Sequence, residues 1–224
     1  MKNNILITGA GTGLGESLAL QYSAEGNHVY LVGRRLETLE QVEKQIKNAG
    51  GNATSIVCDI TDHREVQSTI QSLLKSTAID ILINNAGTGC FGPLNSYTNE
   101  EIDQVLATNV KGTINLTRSV MPRFIEQGEG QIMNIISTAG LRGKKNESVY
   151  VASKFAVRGF TESLIKELEG TNIKATAVYM GGMDTPFWDE TDHITDRSRL
   201  KSPDEVAKLI IDQNTGQAEI FIDR

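Results

Sequence analysis

Short apolar segments alternate along the chain with longer segments in which apolar residues recur every three or four positions. The short segments have the length and composition of buried strands, whereas the longer ones have the spacing of helices with one apolar face. Strands are predicted at 4–8, 28–32, 53–58, 79–84, 130–137, 172–179 and 218–222. Helices are predicted at 14–25, at 36–48, from Thr61 or Asp62 through Leu74, at 99–127 with a possible kink at Pro122, at 149–169, and from Ser202 onward.

Regular alternation of strands and helices is typical of βαβ units, in which the strands form a parallel sheet. The crossover connections of such units are right-handed, and their helices cover both faces of the sheet. No linker, internal repeat or block of like charges interrupts the pattern. We therefore expect an α/β fold in which residues 1–224 form one domain around a doubly wound parallel sheet of about seven strands.

Composition restricts the classes of partner. The chain has 22 Lys and Arg against 28 Asp and Glu, a formal net charge of −6, which argues against binding to nucleic acid or to an anionic membrane. No apolar run approaches the roughly 18 residues that span a bilayer. Cys58 and Cys90 suggest no disulfide framework, and the three histidines have no metal-ligand spacing. We expect a soluble, cytoplasmic protein without a metal site.

Glycine is abundant, with 21 residues against 4 prolines, and many of the glycines follow the ends of predicted strands. Residues 8–15 read TGAGTGLG between the first strand and the first helix, where the phosphates of a dinucleotide meet a helix N-terminus. Leu14 breaks the strict G-x-G-x-x-G spelling, but T-G-x-x-x-G-x-G is matched. The alternative is a glycine-rich turn that binds no ligand.

Two arginines, Arg34 and Arg35, follow the second strand, where enzymes specific for NAD usually carry a carboxylate for the ribose hydroxyls. A guanidinium suits a 2′-phosphate in charge and in its paired hydrogen bonds. The sequence therefore predicts NADP(H) in preference to NAD(H). The alternative is that both arginines are solvated residues at a helix start.

Tyr150 and Lys154 are four residues apart on a predicted helix, so their side chains share one face. Ser137 lies at the end of the preceding strand, and the carboxyl ends of parallel strands meet at one edge of the sheet. The three residues are therefore expected to converge. A nearby ammonium favours the phenolate form of a tyrosine, as proton exchange near neutral pH requires. Taken alone, the spacing of Tyr150 and Lys154 fits a surface tyrosine and a surface lysine better than a catalytic pair.

Together these features resemble the short-chain dehydrogenase/reductase family over essentially the whole chain. The resemblance rests on TGxxxGxG at 8–15, Asp59, the NNAG sequence at 84–87, Asn109, Ser137 and YxxxK at 150–154. It implies a Rossmann domain in which Tyr150 is the general acid/base, Lys154 lowers the pKa of Tyr150, Ser137 binds the substrate oxygen and Asn109 supports a proton relay. The cofactor-binding set is then Gly9, Thr12, Gly13, Leu14, Gly15, Arg34, Arg35, Asp59, Ile60, Asn85, Ala86, Gly87, Tyr150, Lys154, Gly181, Met183 and Thr185.

The chain departs from the family pattern after the sixth strand, where Met180 replaces the usual proline before Gly181. The segment that follows, at about 183–201, is the expected substrate loop. It is acidic, with Asp184, Asp189, Glu190, Asp192 and Asp196, and the apolar walls of the site are expected from Phe91, Leu141, Phe187 and Trp188. These features disfavour a highly anionic substrate.

The expected function is hydride transfer between NADP(H) and a carbonyl or secondary alcohol of a small, apolar substrate. Two alternatives remain, a non-catalytic NADP(H)-binding sensor or scaffold and a structural oligomer subunit. The first is disfavoured because a sensor requires neither Ser137 nor Tyr150. The family resemblance also implies a homodimer or homotetramer formed through the long fourth and fifth helices.

Overall fold

The computed structural model of the protein describes residues 2–189 and 191–223, so Glu190 of the predicted acidic loop lies outside the described residues. Seven parallel strands form one sheet in the order β3-β2-β1-β4-β5-β6-β7. The strands are β1 Asn4–Thr8, β2 His28–Gly33, β3 Asn52–Val57, β4 Ile81–Asn84, β5 Glu129–Ile135, β6 Asn172–Tyr179 and β7 Glu219–Phe221. This arrangement confirms the predicted doubly wound α/β class.

In the part of the chain that the structure describes, seven α-helices flank the sheet, and their bounds agree with most of the predicted ones. They are α1 Gly13–Ala24, α2 Leu36–Asn48, α3 His63–Leu74, α4 Asn99–Leu106, α5 Thr113–Gln127, α6 Ser148–Glu167 and α7 Pro203–Gln213. Local chemistry explains several helix starts. The Asp62 carboxylate accepts from the amides of Arg64 and Glu65 at the start of α3. None of the described helices is both long and apolar enough to cross a bilayer.

The first strand shows why a short apolar run becomes a central strand. Ile5 and Ile7 point to the face that packs on α1, α2 and α7, whereas Leu6 points to the face that packs on α3, α5 and α6. All three side chains are fully buried. A strand covered on both faces needs apolar residues at every position, and the sequence meets this need without the alternation of a half-exposed strand.

The continuous helix predicted at 99–127 is wrong in its centre. Residues 107–112 form a π-helical segment between α4 and α5, with a wider turn than an α-helix. The buried Asn109 side chain lies in this segment, where its Oδ1 accepts from Thr88 N and its Nδ2 donates to Thr88 O, both at 2.8 Å. Thr88 lies 21 residues before Asn109, so this pair of hydrogen bonds has no local signal in the sequence. The periodicity of apolar residues therefore predicts a regular α-helix here.

Candidate active site

The glycine-rich loop after β1 has no space for side chains. Gly9 and Gly13 have φ angles of +64° and +58°, in the left-handed region that favours glycine. A Cβ on Gly15 would lie 2.2 Å from the carbonyl oxygen of Gly9. Thr12 is the N-cap of α1, but its side chain caps no amide, so the amides of the first helical turn remain available to an anion. This cradle of main-chain atoms fits a dinucleotide phosphate, and Leu14 is buried beneath it.

A polar clasp joins this loop to the end of β4. The Thr8 hydroxyl oxygen accepts from the amides of Asn85 and Ala86, each at 3.0 Å. In return, Asn85 Nδ2 donates to Thr8 O at 2.9 Å and to Gly9 O at 3.3 Å. The Asn85 side chain is thus occupied in fixing the loop. Thr8 belongs to this clasp and begins the TGxxxGxG motif, but the predicted cofactor-binding set does not include it.

The residues predicted to face the adenosine end lie at the ends of β2 and β3. Arg34 and Arg35 are both exposed immediately before α2. Asp59 Oδ1 accepts from the amide and the hydroxyl of Thr61, at 2.9 and 2.8 Å. Ile60 is only 8% exposed and packs closely against Gly112, where a Cβ would lie 2.6 Å from Ile60 Cδ1. Two exposed cations, Arg34 and Arg35, therefore border the loop that Asp59 and Ile60 form.

Three of the predicted catalytic residues converge, as expected from the sheet edge. Tyr150 and Lys154 are buried on α6, and Lys154 Nζ lies 5.6 Å from the centroid of the Tyr150 ring. Ser137 lies two residues beyond the end of β5 rather than within the strand, and its side chain is hydrogen-bonded to Tyr150. Lys154 Nζ donates to the carbonyl of Ile135 at 3.1 Å.

Burial dominates the ionisation of this group. Removal from water raises the pKa of Tyr150 above its ordinary value, the hydrogen bond from Ser137 lowers it, and the charge of Glu147 raises it further. The expected lowering of this pKa by Lys154 is therefore wrong for the protein alone. Burial also lowers the pKa of Lys154 to about 8, which weakens its ammonium character. Both shifts favour the neutral forms of the two side chains.

Asn109 is hydrogen-bonded to α6, the helix that carries Tyr150 and Lys154. Its Nδ2 donates to Ser153 Oγ at 3.0 Å, and that hydroxyl in turn donates to the carbonyl of Tyr150 at 2.7 Å. A Cβ on Gly87 would lie 3.4 Å from Asn109 Oδ1 and 3.7 Å from Lys154 Nζ. Asn109 and Lys154 thus both lie beside Gly87 in the loop after β4. Ser153, which the predicted site omits, is the link between two of them.

The loop after β6 closes against the glycine-rich loop. A Cβ on Gly13 would lie 3.2 Å from the Thr185 side chain. The amide of Gly181 donates to Asp223 Oδ2 at 2.8 Å, and the backbone of Met183 bridges to Lys201. These contacts hold the loop without the proline that Met180 replaces. Of the predicted cofactor-binding residues after β6, Thr185 therefore lies beside the glycine-rich loop.

Aromatic side chains gather beside Tyr150. Phe91 and Phe187 lie 5.7 and 5.9 Å from the Tyr150 ring, and Trp188 lies 5.1 Å from Phe91. Leu141, expected in the same wall, instead packs against the Tyr179 cluster. His193 joins the group by stacking on Phe91 at 4.7 Å.

Two residues of this region were not predicted as site residues. His193 has no metal-ligand spacing in the sequence, and no motif marks Glu147, which contacts it. Their separation of 46 residues gives no sequence signal. Across residues 2–189 and 191–223, no three His, Cys, Asp or Glu side chains are grouped as they would be around a metal ion. The acidic loop is partly neutralised, because Arg197 contacts Asp189 at 2.8 Å and Asp184 at 3.7 Å.

Comparison with known proteins agrees with this geometry. A family model described as short chain dehydrogenase matches residues 3–195. A 3-oxoacyl-(acyl-carrier-protein) reductase of Thermotoga maritima is 34% identical over 215 residues, which cover 92% of this chain and 87% of that protein. A metagenomic short-chain oxidoreductase solved in complex with NADP is 29% identical, with a TM-score of 0.84 over 98% of this chain and 96% of that one. A 3-ketoacyl-(acyl-carrier-protein) reductase of Brucella melitensis, complexed with NADH, is 30% identical, with a TM-score of 0.88 over 99% and 96%.

Proposed function

The chain belongs to the short-chain dehydrogenase family of oxidoreductases, and from this premise we propose that it transfers a hydride between NADP(H) and the carbonyl or secondary alcohol carbon of a small, apolar substrate. The observation that carries the proposal is the hydrogen bond between Tyr150 and Ser137, with Lys154 Nζ over the Tyr150 ring. A carbonyl reduction needs a proton donor and a group that polarises the oxygen at one point, and these side chains supply both.

Each side chain has a separate task in this proposal. The Tyr150 hydroxyl gives its proton to the substrate oxygen on reduction and takes it back on oxidation. Ser137 donates a hydrogen bond to the same oxygen and keeps it beside Tyr150. Lys154 replaces the proton, and Asn109 holds the π-helical segment and the catalytic helix together through Ser153. The nicotinamide cofactor supplies the hydride when it is bound.

The residues proposed to hold that cofactor are those of the main-chain cradle. The amides at the start of α1 bind the phosphates, Arg34 and Arg35 bind a 2′-phosphate, and Asp59 and Ile60 border the adenine. Asn85, Ala86 and Gly87 line the ribose, with Gly181, Met183 and Thr185 on the nicotinamide side. Relatives have been solved with NADP and with NADH, so the preference for NADP(H) rests on the two exposed arginines.

The proposed substrate is small and apolar because Phe91, Phe187 and Trp188 surround the Tyr150 ring. Nucleic acid and an anionic membrane are disfavoured as partners by the net charge of −6. A homodimer or homotetramer remains the predicted assembly. The exposed apolar side chains of Leu106, Ile114 and Phe155, which lie on or beside α4, α5 and α6, support it.

The test is the oxidation of NADPH by the purified protein, followed at 340 nm against a panel of ketones, aldehydes and quinones. We expect turnover of at least one apolar ketone and a higher kcat/KM with NADPH than with NADH. Tight binding of NADPH without turnover on the whole panel would indicate the non-catalytic sensor instead. Equal or better use of NADH would overturn the cofactor preference and leave the reductase activity intact.

A further inference from the structure

The described part of the substrate loop, residues 183–189 and 191–201, is attached to the start of α6 by the side chain of His193, in addition to the ring contact of Phe187 with Tyr150. We propose that His193 is a positioning residue that fastens this loop to the start of α6 through Glu147 and thereby holds the aromatic wall beside Tyr150. The inference rests on the proposed function in one respect, because it takes Tyr150 as the group that meets the substrate.

The polar half of this attachment involves a buried acid. His193 Nε2 lies 3.0 Å from Glu147 Oε1, and Lys144 Nζ lies 3.9 Å from the other carboxylate oxygen. Glu147 is only 8% exposed and directly precedes α6, three residues before Tyr150. A buried carboxylate that loses its close partner is strongly disfavoured, whereas an exposed one is not. The contact therefore constrains the loop far more than a surface ion pair does.

The apolar half uses the flat face of the same ring. The His193 imidazole stacks on Phe91 with 4.7 Å between ring centroids and an interplanar angle of 12°. Phe91 in turn lies 5.7 Å from Tyr150. The ring of Trp188 lies 6.3 Å from His193, nearly parallel to it. One side chain thus joins the loop, the catalytic helix and the ring that borders the proposed substrate position.

Substitutions of His193 can separate its hydrogen bond to Glu147 from its stacking on Phe91. His193→Phe keeps the ring and removes the bond to Glu147. His193→Gln keeps a donor within reach of the carboxylate and removes the ring. His193→Ala removes both, and Glu147→Gln removes the charge from the other side. His28→Ala is a matched control, because His28 also stacks on an aromatic ring, at 4.5 Å from Tyr30, and bonds a side chain, Thr54, but lies at the amino end of β2.

The first readout needs no activity. Trp188 is the only tryptophan of the chain, it is 7% exposed, and its indole N–H donates to Met183 O within the substrate loop. Acrylamide quenching of its fluorescence therefore reports whether the loop is attached. We expect quenching to increase in His193→Ala and in Glu147→Gln, to be intermediate in the Phe and Gln variants, and to stay at the wild-type level in His28→Ala.

The second readout is kinetic and uses the best ketone of the panel. We expect His193→Ala to raise KM about tenfold, the order of one hydrogen bond to a charged group, with kcat changed less than about twofold. The Kd of NADPH, measured by titration, stays unchanged, because Met183 is held by its bridge to Lys201 and Thr185 packs on the glycine-rich loop, and neither contact involves His193. Unaltered quenching in both His193→Ala and Glu147→Gln overturns the proposal, as does a joint fall of kcat and NADPH affinity. An inactive wild-type protein contradicts the proposed function, while quenching still decides the attachment.

Discussion

The two halves of the carboxyl edge are built in different ways. In the proposed cofactor half, main-chain atoms of the glycine-rich loop line the surface, and the Thr8–Asn85 clasp fixes their positions. In the proposed substrate half, aromatic rings of Phe91, Phe187 and Trp188 pack on one another, and the contact of His193 with Glu147 ties the loop of Phe187 and Trp188 to the start of α6. One half depends on the absence of side chains and the other on their shape.

This difference decides how much of each half a sequence can reveal. At Gly15 an added Cβ would overlap the carbonyl of Gly9, so the fold dictates the residue type. A ring contact such as Phe91 on His193 accepts several partners of similar size, and its members are far apart in the chain. Motifs therefore mark the backbone half, whereas only spatial neighbours mark the side-chain half.

The largest effect is expected for Tyr150→Phe, because Tyr150 lies where the cofactor half and the substrate half meet. Loss of the acid/base hydroxyl should lower kcat by about a hundred- to ten-thousandfold. The Kd of NADPH should not change, because the cradle does not depend on this hydroxyl. NADPH oxidation and NADPH titration measure the two quantities. Tyr97→Phe, with a hydroxyl bonded to Asn146 O, serves as the control and should retain its activity. Full turnover by Tyr150→Phe would falsify the assignment.

The second effect concerns Lys154, which lies beside Tyr150 and whose pKa is lowered to about 8 by burial. Because the pKa of Lys154 is lower in the folded protein, the unfolded chain binds this proton more tightly, and the free energy of unfolding is reduced. The reduction is complete below a pH of about 8 and disappears as the pH rises to the ordinary pKa of lysine. Lys154→Met should therefore stabilise the fold at pH 7 by about 3 kcal/mol. Urea unfolding from pH 7 to about 10.5 should show this difference decline. A difference that is constant with pH contradicts burial as its cause.

The third effect tests the cofactor half alone. Gly15→Ala should destabilise the fold by about 1–3 kcal/mol, because the loop must move away from the new Cβ. NADPH binding should weaken with it, since the displaced amides no longer converge. Gly143→Ala is the control, because no atom lies within 4 Å of its added Cβ. Urea unfolding and NADPH titration give both values, and an unaffected Gly15→Ala variant would mean that the cradle tolerates side chains.

The smallest effect separates the two nicotinamide cofactors. Replacing Arg34 and Arg35 together by alanine should raise the KM for NADPH about tenfold and leave that for NADH unchanged, because only NADPH carries the 2′-phosphate. Arg118→Ala, at an exposed position on α5, controls for the loss of positive charge. Equal losses with both cofactors would indicate that the two arginines act on the fold instead of on the phosphate.

Much of the fold was predictable because each strand and helix carries its own periodicity. The bounds of β1 and β6 agree with prediction, and α2 begins and ends where its apolar stripe does. The π-helical turn around Asn109 was missed because its cause is a pairing with Thr88 from another loop. The direction of the Tyr150 pKa was also missed, since a motif names neighbouring charges but does not show how completely they are buried.

The sequence by itself determined the alternation of strands and helices, the places where glycine is required, and the spacing of Tyr150 and Lys154 on one helical face. These features follow from backbone geometry, which acts over a few residues. The tertiary structure decided which distant side chains meet. It brought Glu147 to His193, Asn109 to Ser153 and Phe91 to Tyr150, and it set the ionisation of the buried pair. Packing and desolvation depend on neighbours in space, and the order of residues in the chain does not record them.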